Sequence, residues 1–208
     1  MNIDVSATSL VFFLVVLIFS IGVHEAMHGF AAYWLGDDTA ALEGRLTLNP
    51  LKHIDPVLSV LMPLILILLG LPPLLAAKPV PFNPARVKYD EFGAALIALA
   101  GPFTNFALAA VGAVIWRLGL GMESALFVDF LSMFIMLNVG LFVFNMIPFP
   151  PLDGSRVLYA VAPAPVQRVM EQIEQFGMIA ILLLIAVLLP FIRPLIITLN
   201  EAVLGFLL

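Results

Sequence analysis

His24-Glu25-Ala26-Met27-His28 stands inside a stretch, Leu10 to Leu35, that is otherwise suited to hydrocarbon. From Leu10 to Ile21 the residues are almost wholly apolar. After His28 the chain runs on through Phe30, Ala31, Ala32, Tyr33, Trp34 and Leu35. Helical periodicity puts His24 and His28 one turn apart on one face, with Glu25 beside the first. Two imidazoles at this spacing can share a Zn²⁺, and the adjacent carboxylate is placed to take a proton from a water on it. The pattern reads as metallohydrolase chemistry, here set within a membrane.

Composition agrees with the membrane. The chain is 62% hydrophobic and 11% charged, with a mean hydropathy of +1.13, far from the balance of a soluble domain. Several apolar stretches approach or exceed the length needed to cross a bilayer. The expectation is one membrane-embedded domain over residues 1–208, all-α and polytopic: a bundle of about 5–6 membrane segments with short strand-like loops and a re-entrant segment. The N-terminus carries Asp4 and no Lys or Arg, so it lacks the basic start of a cleaved signal peptide, and the first segment is expected to be retained. There are no cysteines, so a metal would have to use His and carboxylate ligands. The net charge of −5 is scattered, and no basic patch points to nucleic acid.

The first helix is expected over about residues 8–35, ending at Gly36-Asp37-Asp38. Residues 43–49 alternate in polarity up to Pro50 and resemble a short strand, and 78–84, with three prolines, suit an extended edge segment. Residues 56–75 are apolar but interrupted by Pro56, Pro63, Gly70, Pro72 and Pro73. Two further spans are expected at about 91–116 and 124–148, then an amphipathic interfacial helix at 166–176. The apolar tail, 177–208, has a break at Pro190–Pro194.

Parity decides what residues 56–75 do. If they dip in and return, the span at 124–148 ends on the histidine side; if they cross, it ends on the other. The re-entrant arrangement gathers Arg45, Lys52, Lys78, Arg86, Lys88, Arg156 and Arg168 on the histidine side, against Arg117 and Arg193 opposite. Full crossing divides the basic residues almost evenly. Lys and Arg favour the cytoplasmic face, so the re-entrant reading is preferred, with the histidines toward the cytosol.

Three ionisable residues within five positions of a spanning helix each cost about 2.5–3.5 kcal/mol on insertion scales, so they call for a shared purpose. Two imidazoles still leave a catalytic zinc short of one protein ligand. His53 is the only other histidine, and its place between Lys52 and Asp55 suits a solvated loop residue. Asp153 is the better candidate: it follows the rigid Pro148-Phe-Pro150-Pro151 run, and parity brings it to the right face. An N-cap role for the turn at Gly154 is an equally ordinary use of it.

On these motifs the chain resembles the site-2 protease family of intramembrane zinc metalloproteases, in its short prokaryotic form without PDZ or CBS domains. The resemblance runs from about Phe19 to Leu158. It rests on the His24-Glu25-x-x-His28 helix followed by Ala32 and Gly36, on Gly101-Pro102-Phe-Thr-Asn105, and on Asn145-x-x-Pro148-x-Pro-Pro-Leu-Asp153-Gly154. It implies Asp153 as third zinc ligand, Glu25 as general base, and Asn145 beside the substrate carbonyl. It also implies that the loops matching 43–49 and 78–84 present an unwound substrate; Val80 and Phe82 of the second loop, together with Asn105, are expected to bind it. The implied activity is cleavage of a partner's transmembrane helix near its cytosolic end by a multi-pass protein of the cell membrane.

Two rivals remain. An inactive relative would bind membrane helices without cutting them, but has no need of Glu25. A divalent-metal carrier would spread polar residues through several helices, whereas the later spans are nearly bare apart from Asn105 and Asn138.

Overall fold

A computed structural model of the chain describes residues 7–53 and 80–208. The expected re-entrant segment, 56–75, lies outside the described residues. Within them the chain is helical, and no residue lies in a strand.

Helix α1 (Ala7–Trp34) spans 28 residues without proline, about 42 Å at the usual helical rise. Its end is set by Gly36, which adopts φ +104°, a conformation that favours glycine. The Gly36 N–H donates to Tyr33 O and the Asp37 N–H to Ala32 O, which caps the last carbonyls. A short α2 (Thr39–Leu42) follows. Among the described residues, helix α3 (Asp90–Arg117) and helix α4 (Ala125–Asn145) are the next two long, apolar helices. Then come α5 (Asp153–Val161) and α6 (Ala164–Glu174). Helix α7 (Met178–Leu183) passes through a π-helical turn, Leu184–Leu188, into α8 (Leu189–Leu207).

Among the described residues, four helices are long and apolar enough to cross a membrane: Thr8–Trp34, Asp90–Arg117, Ala125–Asn145 and Pro190–Leu207. α3 packs between α1 and α4, and α8 lies against α4. A face of small residues on α3, among them Ala94, Ala98, Gly101 and Ala109, lets the backbones approach closely, the device membrane helices use for packing. Ile135, Val139 and Val143 of α4 form a core with Ala109, Ala113 and Leu207.

Both strand-like expectations need correction. Residues 43–49 form turns: Arg45 N–H donates to Ala40 O and Thr47 N–H to Arg45 O, while the Thr47 hydroxyl takes the Asn49 N–H. Local side-chain acceptors there displace any ladder. Of residues 78–84, 78 and 79 lie outside the described residues, Pro84 opens a 3₁₀ turn, and 80–83 are irregular with Asn83 extended; their N–H groups go to carboxylates, Val80 N–H to Glu25 Oε2 at 3.1 Å and Asn83 N–H to Asp37 Oδ2 at 2.6 Å. Alternating polarity alone supplies no pairing partner. The tail differs too. Its irregularity is the π-helical turn before Pro190, and the helix runs on through Pro194. Proline's missing N–H is commonly absorbed by such a turn.

The Lys88 N–H donates to Leu35 O at 2.9 Å, so the end of α1 and the start of α3 lie together. The end of α1 and the start of α3 thus share one end of the bundle. α4 then comes back to that end, and α5 folds sharply onto it. A Cβ at Gly154 would stand 2.4 Å from Met146 O, so only glycine permits this approach. α6 docks on α5 through Arg156–Glu174, Tyr159 Oη to Glu171 Oε1 (2.5 Å) and Gln167 Nε2 to Tyr159 O (3.0 Å). The Glu171 hydrogen bond pushes the Tyr159 phenol up to about 12. α6 is amphipathic as expected, two residues earlier than its pattern suggested, with Val166 and Val169 exposed and Met170 buried.

Candidate metal centre

His24 and His28 project from α1 toward α3, and α3 receives them in register. Ile97, Gly101 and Asn105 lie four residues apart on one helical face. His28 Nδ1 donates to Ile97 O at 2.7 Å, and His24 Nδ1 meets Asn105 Oδ1 at 2.7 Å. Gly101, between them, faces both Nε2 atoms. A carbonyl oxygen only accepts, so the Nδ1 atoms carry the ring protons and both Nε2 atoms present lone pairs.

Those lone pairs converge. The two Nε2 atoms are 3.0 Å apart, and Asp153 Oδ2 lies 3.1 Å from one and 3.4 Å from the other. Asp153 Oδ2 is buried without a hydrogen-bond partner of its own. Three electron-rich atoms at this spacing repel one another unless a cation lies among them. The edges of a tetrahedron with zinc–ligand bonds of about 2.0–2.1 Å are about 3.3 Å long, close to the three separations here. The donor set, two imidazoles and one carboxylate, therefore fits Zn²⁺ with a position left for water or substrate. Among the described residues these three are the only His, Asp or Glu group so placed.

Asp153 is the first residue of α5, and Leu152, not Asp153, occupies the cap position. Its ordinary alternative use is thereby excluded. His53 is also not where its loop setting suggested. It is 1% exposed, with Nε2 donating to Thr47 O at 2.9 Å, inside the loop it belongs to and apart from the three. Glu25 is half-buried beside His24, and one carboxylate oxygen accepts the Val80 N–H. Asn145 closes α4; one of its amide protons goes back to Leu141 O at 3.0 Å, which leaves a second.

Of the residues expected at the substrate, Val80 lies beside Glu25 through its N–H, and the side chains of all three pack within the fold. Asn105 is fully buried under His24, which makes it a support for the imidazole. The Val80 side chain is buried against Gly29, and Phe82 packs on Ala32, Val87 and Ile97, so both anchor their segment to α1 and α3. Sequence reasoning did not find Ile97 and Gly101 as neighbours of the ligands. A backbone carbonyl leaves no mark in the residue type, and a glycine in a small-residue face looks like ordinary packing. Asn138, which bonds Asn105, did leave a signal: a lone amide in an apolar span.

The family model for peptidase family M50 matches residues 120–189. The chain is 39% identical over 191 residues to “Putative zinc metalloprotease YwhC” of Bacillus subtilis, covering 88% of this chain and 81% of that one. It is 31% identical over 180 residues to “Putative zinc metalloprotease Rip2” of Mycolicibacterium smegmatis, covering 84% and 67%. The Rip2 protein of Mycobacterium tuberculosis H37Rv is 30% identical over 168 residues, covering 79% and 62%. No solved structure matches the chain.

Proposed function

We propose, from the premise that this chain belongs to peptidase family M50, the site-2 proteases, that this membrane metalloprotease is a zinc endopeptidase hydrolysing peptide bonds within the transmembrane helices of other proteins. The observation that carries the reading is the convergence of His24 Nε2, His28 Nε2 and Asp153 Oδ2 within 3.0–3.4 Å. These three would hold Zn²⁺, which when bound supplies Lewis acidity, making water more acidic and polarising a carbonyl. Glu25 takes the proton of the attacking water and passes it to the departing amine. It is oriented for this by the Val80 N–H on its other side. Asn145, with a free amide proton at the end of α4, stabilises charge building on the carbonyl oxygen. Ile97 O and Asn105 hold the two imidazoles with Nε2 outward, as supports of metal ligands commonly do.

A substrate helix has its carbonyls tied up internally and must open before it is cut. Cleavage then falls near the end of the bundle where α1 closes and α3 begins. Arg45, Lys52, Arg86, Lys88, Arg156 and Arg168 belong to the loops and short helices expected there, and the positive-inside bias makes that end cytosolic in a multi-pass protein of the cell membrane. The partners are lipid and transmembrane proteins or peptides.

The test is zinc content and cleavage of a model transmembrane peptide by purified protein, with Glu25→Gln alongside. Wild type should retain about one zinc and cut; Glu25→Gln should retain zinc and lose nearly all cleavage. Cleavage by Glu25→Gln at the wild-type rate, or a wild type that binds no zinc, overturns the reading.

A further inference from the structure

The proposed zinc site rests on His24 presenting a lone pair at Nε2, and one hydrogen bond to Asn105 does not guarantee this. An asparagine amide can turn over. With Nδ2 toward the ring, Asn105 would donate to Nδ1, leave the proton on Nε2, and close that atom to a metal. Something must choose its direction.

Asn105 and Asn138 are both fully buried, on α3 and α4. Asn138 Nδ2 donates to Phe134 O at 2.9 Å, four residues back in its own helix. Because Phe134 O only accepts, the amide nitrogen of Asn138 must face it, and Asn138 Oδ1 is turned to Asn105. Asn105 answers with Nδ2 at 3.0 Å, and the same nitrogen reaches Ser20 O at 3.4 Å. Its Oδ1 is then left for His24 Nδ1 at 2.7 Å. Every link runs one way, from a backbone carbonyl of α4 to an imidazole of α1. Without Asn138, Asn105 would be held in direction only by the long contact to Ser20 O. His28 needs no such chain, since Ile97 O holds its Nδ1 proton directly.

We propose that Asn138 is a positioning residue which, through Asn105, fixes the ring tautomer of His24 and keeps Nε2 open to the metal. It touches neither ligand nor substrate, and its effect is on metal affinity and on one histidine of the pair.

The test uses the full-length protein labelled with ¹⁵N-histidine, whose three histidines give a readable spectrum, together with zinc affinity by chelator competition. Asn138→Leu keeps the size and removes both polar atoms. Asn138→Asp keeps the reach and offers Asn105 an acceptor whether or not it is ionised. Wild type without zinc should show His24 protonated at Nδ1 alone. Asn138→Leu should show a mixture of tautomers at His24 with His28 unchanged, and zinc affinity should fall about 10-fold or more, the usual effect of losing a ligand's support. Asn138→Asp should keep the wild-type tautomer and most of the affinity.

The relay is overturned if Asn138→Leu leaves the His24 tautomer and zinc affinity as they were, if both histidines change together, or if Asn138→Asp is as defective as Asn138→Leu. Should Asn138→Leu fail to fold, Asn138→Ala, which also removes both polar atoms, takes its place in the same measurements. A wild type that binds no zinc would instead remove the proposed function, and the metal-free spectra would still judge the relay.

Discussion

Gly101→Ala adds one methyl group at the most confined point of the site. The new Cβ would lie 2.5 Å from His28 Nε2 and 2.6 Å from both Nε2 and Cε1 of His24. Uncharged atoms rest at about 3.5 Å or more, so the overlap is about 1 Å against each ring, on the atoms that would hold the metal. α3 cannot retreat cheaply. Ile97 and Asn105, one turn to either side, are tied to the same imidazoles at 2.7 Å. A retreat of about 1 Å would stretch both bonds beyond useful length. Overpacking of this kind costs about 1–3 kcal/mol, and the two weakened bonds add about 0.5–1.5 kcal/mol each. If the rings turn aside instead, the ligand triangle opens. Either route should weaken zinc binding about 100-fold and abolish peptide cleavage while the protein stays folded. Zinc affinity by chelator competition, cleavage and thermal unfolding are measured together. Gly112→Ala is the control: its Cβ would meet Ile135 Cγ1 at 2.8 Å, far along the same helix from the rings, and should cost stability with zinc affinity kept. Gly101→Ala binding zinc as tightly as wild type would refute the argument.

Other outcomes follow from the same geometry. Asp153→Ala should lose zinc during purification and all cleavage, whereas His53→Ala should keep zinc and lower the unfolding temperature, since a buried side chain bonded to Thr47 O is removed; elemental analysis and thermal scans distinguish the two. Single cysteines at Thr47 and Lys88 should react with an impermeant maleimide from the same side and one at Met122 from the opposite side, because Lys88 joins the end of α1; labelling of Thr47 and Lys88 from opposite faces would contradict this. Burial raises the Asp37 carboxyl, but hydrogen bonds from Thr39 and Asn83 and the charge of Arg86 outweigh it and lower it from its ordinary 3.8. Its folded value is therefore the lower one, so its contribution should be complete above about pH 4 and fade as pH falls through the folded value. Asp37→Asn should flatten that acid limb in a stability–pH series, and an unchanged limb would exclude Asp37 as its source.

Several expectations met the structure well because they depend on neighbours in sequence. The span of α1, the pairing of His24 with His28 and the amphipathic face of α6 all follow from a backbone bond every four residues and a 3.6-residue period. The strand reading of 43–49 failed because a strand exists only with a partner, and local acceptors at Thr47 and Asn49 took the N–H groups first. His53 looked solvated because its neighbours Lys52 and Asp55 are charged. Its burial depends on how the loop folds over it, which no neighbouring residue reports.

The sequence alone determined that this is a helical membrane protein and that one spanning helix carries two imidazoles and a carboxylate fit for a metal. Apolar length, periodicity and the i, i+4 rise are local quantities, written within one helix. Only the tertiary structure decided what completes that site. Asp153 arrives from 125 residues beyond His28, brought by the returning α4 and a fold-back that Gly154 alone allows. Asn105 and Asn138 meet only because α3 packs between α1 and α4, and the Ile97 carbonyl gains its role only from the histidine laid against it. In a helix the backbone bonds are satisfied internally, so the sequence of each span fixes its shape. The face it turns to its neighbours, and the height at which it meets them, are settled by close packing among all the helices at once.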